Sequence, residues 1–85
     1  MSYRVEISRR ALKVLSALPR KEQQRIRAVI ELLADNPRPP GCRPVVGEDR
    51  AYRVRSGDYR IIYDLYDDRL LVQVVRVGHR REVYR

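Results

Sequence analysis

Apolar and polar residues alternate over Tyr3-Arg4-Val5-Glu6-Ile7, the pattern of a half-buried strand, and Ser8 follows where a helix N-cap would sit. Ala11, Leu12, Leu15 and Leu18 then fall at helical spacing until Pro19, which ends this helix and can open the next. From Lys21 to Asp35 a stripe of Ile26, Val29, Ile30 and Leu33 predicts a second helix, with Lys21, Arg25, Arg27, Glu22 and Glu31 on its solvated remainder. Asn36 to Gly47 is interrupted by prolines and glycines, so it reads as a loop holding at most a short edge strand around Arg43 to Val46. Three β-rich runs follow: Ala51 to Arg55, Tyr59 to Tyr66, and Arg69 to Val77. Ser-Gly-Asp and Asp67-Asp68 supply the turns between them. The last run is nearly continuous apolar (Leu70, Leu71, Val72, Val74, Val75, Val77), as expected of a central strand. The expected fold is a single α+β domain over residues 1–85, ordered β-α-α-β-β-β, with a helical hairpin on one face of a small antiparallel sheet.

A turn at residues 56–59 sets a register: Arg55 opposite Arg60, Val54 opposite Ile61, Arg53 opposite Ile62, Tyr52 opposite Tyr63. Period-two alternation sends Tyr52, Val54, Ile61 and Tyr63 toward the helices and gathers Arg53, Arg55 and Arg60 on the other face. Like charges facing each other across strands cost roughly 0.2 to 1 kcal/mol per pair, and a polyanion would relieve that cost. Two readings stand side by side: a phosphate site, or surface arginines that keep a small domain in solution and are screened by salt.

Composition sharpens the picture. The 85 residues carry 19 Lys plus Arg against 11 Asp plus Glu, a net charge of +8 that draws the domain to polyanions. All but Lys13 and Lys21 of those cations are arginine, the side chain that pairs bidentately with phosphate, although a GC-rich genome also favours arginine codons. No apolar run is long enough to span a bilayer, and the first ten residues lack the apolar core of a signal peptide, so a cytoplasmic protein with no membrane partner is expected. Cys42 and His79 are the sole cysteine and histidine, which excludes a disulfide framework or a Cys/His zinc site within one chain. No cofactor is expected, and the chemistry is expected to be metal-free. Cys42 has no neighbouring base in sequence that would make it a nucleophile.

The chain ends on Gly78, His79, Arg80, Arg81 and Tyr84. Histidine exchanges protons near neutral pH, arginine stabilises a phosphorane dianion, and tyrosine hydrogen-bonds or stacks. Each also has a plainer use: a surface histidine, and Tyr84 as a C-terminal anchor.

The strings Ala51-Tyr52-Arg53-Val54-Arg55-Ser56-Gly57-Asp58-Tyr59-Arg60-Ile61-Ile62-Tyr63 and Val75-Arg76-Val77-Gly78-His79-Arg80-Arg81-Glu82-Val83-Tyr84 resemble the RelE family of toxin-antitoxin toxins. Ser8 to Lys13 and the helix ending Asp35-Asn36-Pro37 match the family layout less specifically. The resemblance implies a ribosome-dependent mRNA endonuclease that cuts the message in the A site. The substrate's 2'-hydroxyl attacks the adjacent phosphorus, so RNA is cut and DNA is not. Carried over, the family's catalytic and RNA-binding positions fall on Arg53, Arg55, Arg60, Arg80 and Tyr84, with Arg81 beside them as a further RNA contact. Well-known members have lysine at the first two positions. Arginine is a poor proton acceptor, which makes His79 the candidate for proton transfer. The tail between Arg80 and Tyr84 is also shorter than in those members. The implied partners are a cognate antitoxin that wraps an acidic segment over the toxin, the ribosome with its mRNA, and operator DNA reached only through the antitoxin. Two other functions compete: a ParE-type inhibitor of DNA gyrase, which shares the fold and the Tyr-Arg-Ile-Ile-Tyr hairpin, and a nucleic-acid-binding module without catalysis.

Overall fold

A computed structural model describes residues 2–79 of the chain. Its elements are β1 (Arg4–Ile7), α1 (Arg9–Ser16), α2 (Arg20–Asp35), β2 (Arg43–Pro44), β3 (Ala51–Ser56), β4 (Tyr59–Tyr66) and β5 (Leu71–His79). The expected order therefore holds, with a two-residue β2 added at the sheet edge where the proline-rich segment admits no longer strand.

Ser8 starts α1 as expected: its Oγ accepts a 3.1 Å hydrogen bond from the Ala11 amide and relieves one of the orphan donors of the first turn. The other end of α1 is satisfied from the next helix. Gln23 Nε2 donates to the carbonyls of Ser16 (3.2 Å) and Leu18 (2.8 Å), which fixes the hairpin angle at Pro19. Ile26, Ile30 and Leu33 of α2 join Ala11 and Leu15 of α1 in the core, whereas Leu12 turns out to solvent because it falls off the α1 stripe.

The five strands run in the order β1-β5-β4-β3-β2. The sheet is mixed, a correction to the all-antiparallel expectation: β1 lies parallel to β5, with Val5 beside Val72 and Ile7 beside Val74. The short β1 carries no turn signal linking it to a neighbour. It therefore pairs with the strand farthest from it in sequence, and the chain between them builds the remaining layers. The start of β5 also differs, because Leu70 adopts φ +51° in the turn after β4 and the strand begins at Leu71. Val54, Ile61, Tyr63, Leu65, Val72, Val74 and Val77 face the helices and close the core.

β4 and β5 slip by one residue between Ile62 and Tyr63, so that Tyr63 pairs with Val74 and Ile62 with Arg76, leaving Val75 as a bulge. Past the bulge Val77 returns to the core and Arg76 emerges on the opposite face. A regular strand would have done the reverse and pointed Arg76 at the helices.

The proline-rich loop is fastened at the helix side of the sheet. The Tyr63 hydroxyl donates to the Pro37 carbonyl at 2.6 Å, and the Tyr63 ring stacks on Tyr52 with centroids 6.0 Å apart. Arg38 grips Asp67 through both terminal nitrogens (2.7 and 3.3 Å), and the Tyr3 hydroxyl donates to the same carboxylate at 2.7 Å. Among the described residues, helices cover one face of the sheet and leave the other open.

Candidate nucleic-acid interface

The β3–β4 register is the one the turn predicts: Arg55 pairs with Arg60, Val54 with Ile61, Arg53 with Ile62 and Tyr52 with Tyr63. A two-residue loop makes it possible, with Gly57 at φ +60°, a value suited to glycine and to the twist of a tight hairpin. Because Val54, Ile61 and Tyr63 are buried against the helices, alternation places Arg53, Arg55 and Arg60 on the open face.

Two further arginines join them. Arg43 of β2 is in register with Arg53, and Arg76 of β5 is in register with Ile62. Across the sheet the rows read Arg43, Arg53, Ile62, Arg76 and, one step toward the hairpin turn, Arg55, Arg60, Gly78. Gly78 sets no side chain opposite Arg60, and Arg60 is half-buried with its Nε withdrawn from solvent. Arg55 is exposed. Five guanidinium-bearing residues thus share one end of one face, an arrangement that suits several phosphate oxygens at once.

Among the described residues, two cavities open on the surface here. One cavity of about 310 Å3 is lined by Pro40, Gly41, Arg43, Arg53, Val54 and Arg55. A second, of about 200 Å3, is lined by Arg55, Gly57, Asp58, Tyr59 and Arg60. Arg55 belongs to both.

His79 stands differently from the arginines. It pairs with Tyr59 at the end of β5 and meets that ring edge to face, with centroids 5.8 Å apart. This is the row of Tyr59 and Val77's face, on the helix side, so His79 approaches the arginine cluster only around the rim, by way of Tyr59 in the smaller cavity. Arg80, Arg81 and Tyr84 lie outside the described residues. Cys42 packs half-buried against the core, where Tyr63 is its neighbour; burial first, then the thiol, pushes the Tyr63 hydroxyl well above the usual tyrosine range. Asp67, expected only as a turn residue, is held below the usual carboxylate range by Arg38 and Tyr3.

Arg43 and Arg76 escape a reading of the sequence for separate reasons. Arg43 sits in a loop whose two-residue bridge has no periodicity to read. Arg76 depends on the bulge, whose one sign is the doubled apolar pair Val74-Val75 before a charged residue.

Comparison with known proteins bears on this face. Residues 5–84 match the family described as the ParE toxin of the type II toxin-antitoxin system parDE. The toxin RelE1 of Methanocaldococcus jannaschii is 35% identical over 89 residues, covering 100% of this chain and 98% of that protein. Among solved structures, the RelE-RelB complex of Pyrococcus horikoshii superposes with a TM-score of 0.85 at 28% identity, covering 96% of this chain and 99% of its counterpart. The Escherichia coli RelBE toxin-antitoxin complex does so with a TM-score of 0.79 at 25% identity, covering 92% and 96%.

Proposed function

This chain belongs to the RelE family of the RelE/ParE superfamily of type II toxins, and from that premise we propose that it is an endoribonuclease that cuts messenger RNA in the ribosomal A site and so arrests translation. The observation that carries the reading is the convergence of Arg53, Arg55 and Arg60 on an open face beside two cavities. RNA supplies the nucleophile itself. Its 2'-hydroxyl loses a proton and attacks the adjacent phosphorus, the bond to the 5'-oxygen breaks, and that oxygen takes up a proton, leaving a cyclic phosphate and a 5'-hydroxyl.

Charge builds on the nonbridging oxygens as the phosphorane forms, and guanidiniums fixed by a sheet stabilise it without reorganising. Arg53, Arg55, Arg60 and Arg80 take that role, with Arg81 on the flanking backbone and Tyr84 against a substrate base. Arginine stays protonated at neutral pH, so the proton steps fall to His79, reaching the phosphate around the rim past Tyr59. The partner in the resting cell is a cognate antitoxin, as RelB is for RelE in the Pyrococcus horikoshii and Escherichia coli complexes. An acidic segment of it covers the arginine face, and operator DNA is contacted through that antitoxin. No helix among the described residues is long and apolar enough to cross a membrane, and the proposed place of action is the cytoplasm with its ribosomes.

Primer extension on a defined message, with and without programmed ribosomes bearing an empty A site, tests this. Cleavage that requires ribosomes is the expected result. A second reading, gyrase inhibition, is favoured by the description of the matching family as ParE. It takes over if folded protein leaves the message intact in both reactions and blocks supercoiling by purified gyrase.

A further inference from the structure

We propose that the cavity between the proline-rich loop and β3 is a second nucleotide subsite, in which Arg43 grips the phosphate next to the scissile one. The inference rests on the RNA-cleaving reading above and extends it to a residue outside the resemblance.

The larger of the two cavities lies away from the Arg60 trough, toward the β2 edge. Three of its six lining residues are arginines (Arg43, Arg53, Arg55), and none is a carboxylate. The Arg60 trough includes Asp58, so of the two the cavity at the edge is the one lined by arginine without a carboxylate. Arg43 and Arg53 stand opposite each other across a β-bridge, so an anion seated there meets guanidinium donors from two strands. The volume, about 310 Å3, is at the lower end of small-ligand sites, which admits one nucleotide and excludes a duplex. Pro40 supplies an apolar wall, and a Cβ built at Gly41 would meet nothing within 4 Å, so the wall there stands open to a base. Arg55 lines both cavities. One strand of RNA with its scissile phosphate held by Arg55, Arg60 and Arg53 therefore continues across the strands, past Arg53, to place its next phosphate on Arg43.

The test is fluorescence anisotropy at low salt with RNA carrying a 2'-deoxy substitution at the scissile position: a dinucleotide, and trinucleotides extended by one residue on the 5' or the 3' side. The full-length protein is compared with Arg43→Ala and with Arg27→Ala, which removes the same charge from the outside of α2. The expected result is a gain of about five- to tenfold in affinity on extension to one side, abolished by Arg43→Ala and kept by Arg27→Ala, as suits one charge-assisted contact. A gain that survives Arg43→Ala, that falls equally in Arg27→Ala, or that never appears in the unmodified protein overturns the subsite. Ribosomal cleavage of an unmodified message, assayed on the same preparation, separates the two claims. Cleavage without an Arg43-dependent gain sinks the subsite alone, and an Arg43-dependent gain without cleavage sinks the nuclease reading alone.

Discussion

Arg55 and Arg60 stand directly opposite each other across the β3–β4 hairpin, at the point where the two cavities of the open face adjoin. No structural requirement of the hairpin calls for that pair, since Gly57 sets the turn and Val54, Ile61 and Tyr63 set the register. Arg55→Thr should therefore stabilise the free protein by about 0.2 to 1 kcal/mol in urea unfolding at low salt, with the gain shrinking as salt screens the pair. The same variant should lose RNA affinity. A destabilised Arg55→Thr would show that the two arginines are held by partners that outweigh their repulsion.

His79 and the arginines should separate in their pH behaviour. Arginine carries its charge throughout the accessible range, so Arg60→Ala should lower the cleavage rate at every pH without reshaping the profile. His79→Ala removes the side chain assigned the proton steps. It should lower the rate by about 10^2- to 10^4-fold and change the shape of the pH profile. Full activity in His79→Ala would make the Tyr59–His79 contact a packing feature of the sheet end.

The bulge that exposes Arg76 is tied to the start of α1. Ser8 caps that helix through its Oγ, donates the same hydroxyl to the Val75 carbonyl at 3.2 Å, and donates its amide to the Val74 carbonyl at 2.8 Å. Ser8→Ala should cost about 1 to 2 kcal/mol from the lost cap and the unmade bond to the bulge. Amide exchange at residues 74–77 should accelerate with it, whereas a loss confined to α1 would show that the bulge holds itself.

These dependences mark where the sequence is readable. The hairpin register was legible because a two-residue turn leaves one way to alternate, and Arg53, Arg55 and Arg60 came with it. The two helices were legible from their stripes. The partner of β1 was not, because parallel pairing of residues some seventy positions apart leaves no local signal. Arg76 was hidden by one inserted residue that reverses which side of β5 it occupies. Arg43 was hidden in a loop whose position depends on the distant Tyr63 and Asp67, which hold its Pro37 and Arg38.

That loop anchor carries a pH dependence of definite sign. Arg38 and the Tyr3 hydroxyl hold the Asp67 carboxyl below its ordinary value, so the folded state favours the carboxylate more than the unfolded chain does. The stabilisation is complete above the unfolded carboxyl's pKa of about 3.9 and is lost as pH falls through the lower folded value. Asp67→Asn should accordingly melt at a lower temperature than the unmodified protein at pH 7, and the two melting curves should converge below about pH 4. Tyr63→Phe provides the contrast. It removes the 2.6 Å bond to Pro37, a neutral contact worth about 1 kcal/mol, and its deficit should stay level over the same pH range. If the Asp67→Asn deficit also stayed level, the carboxylate would be contributing shape and hydrogen bonds rather than charge. If both variants weakened RNA binding at neutral pH, the loop they fasten would be shown to present Arg43 to its ligand.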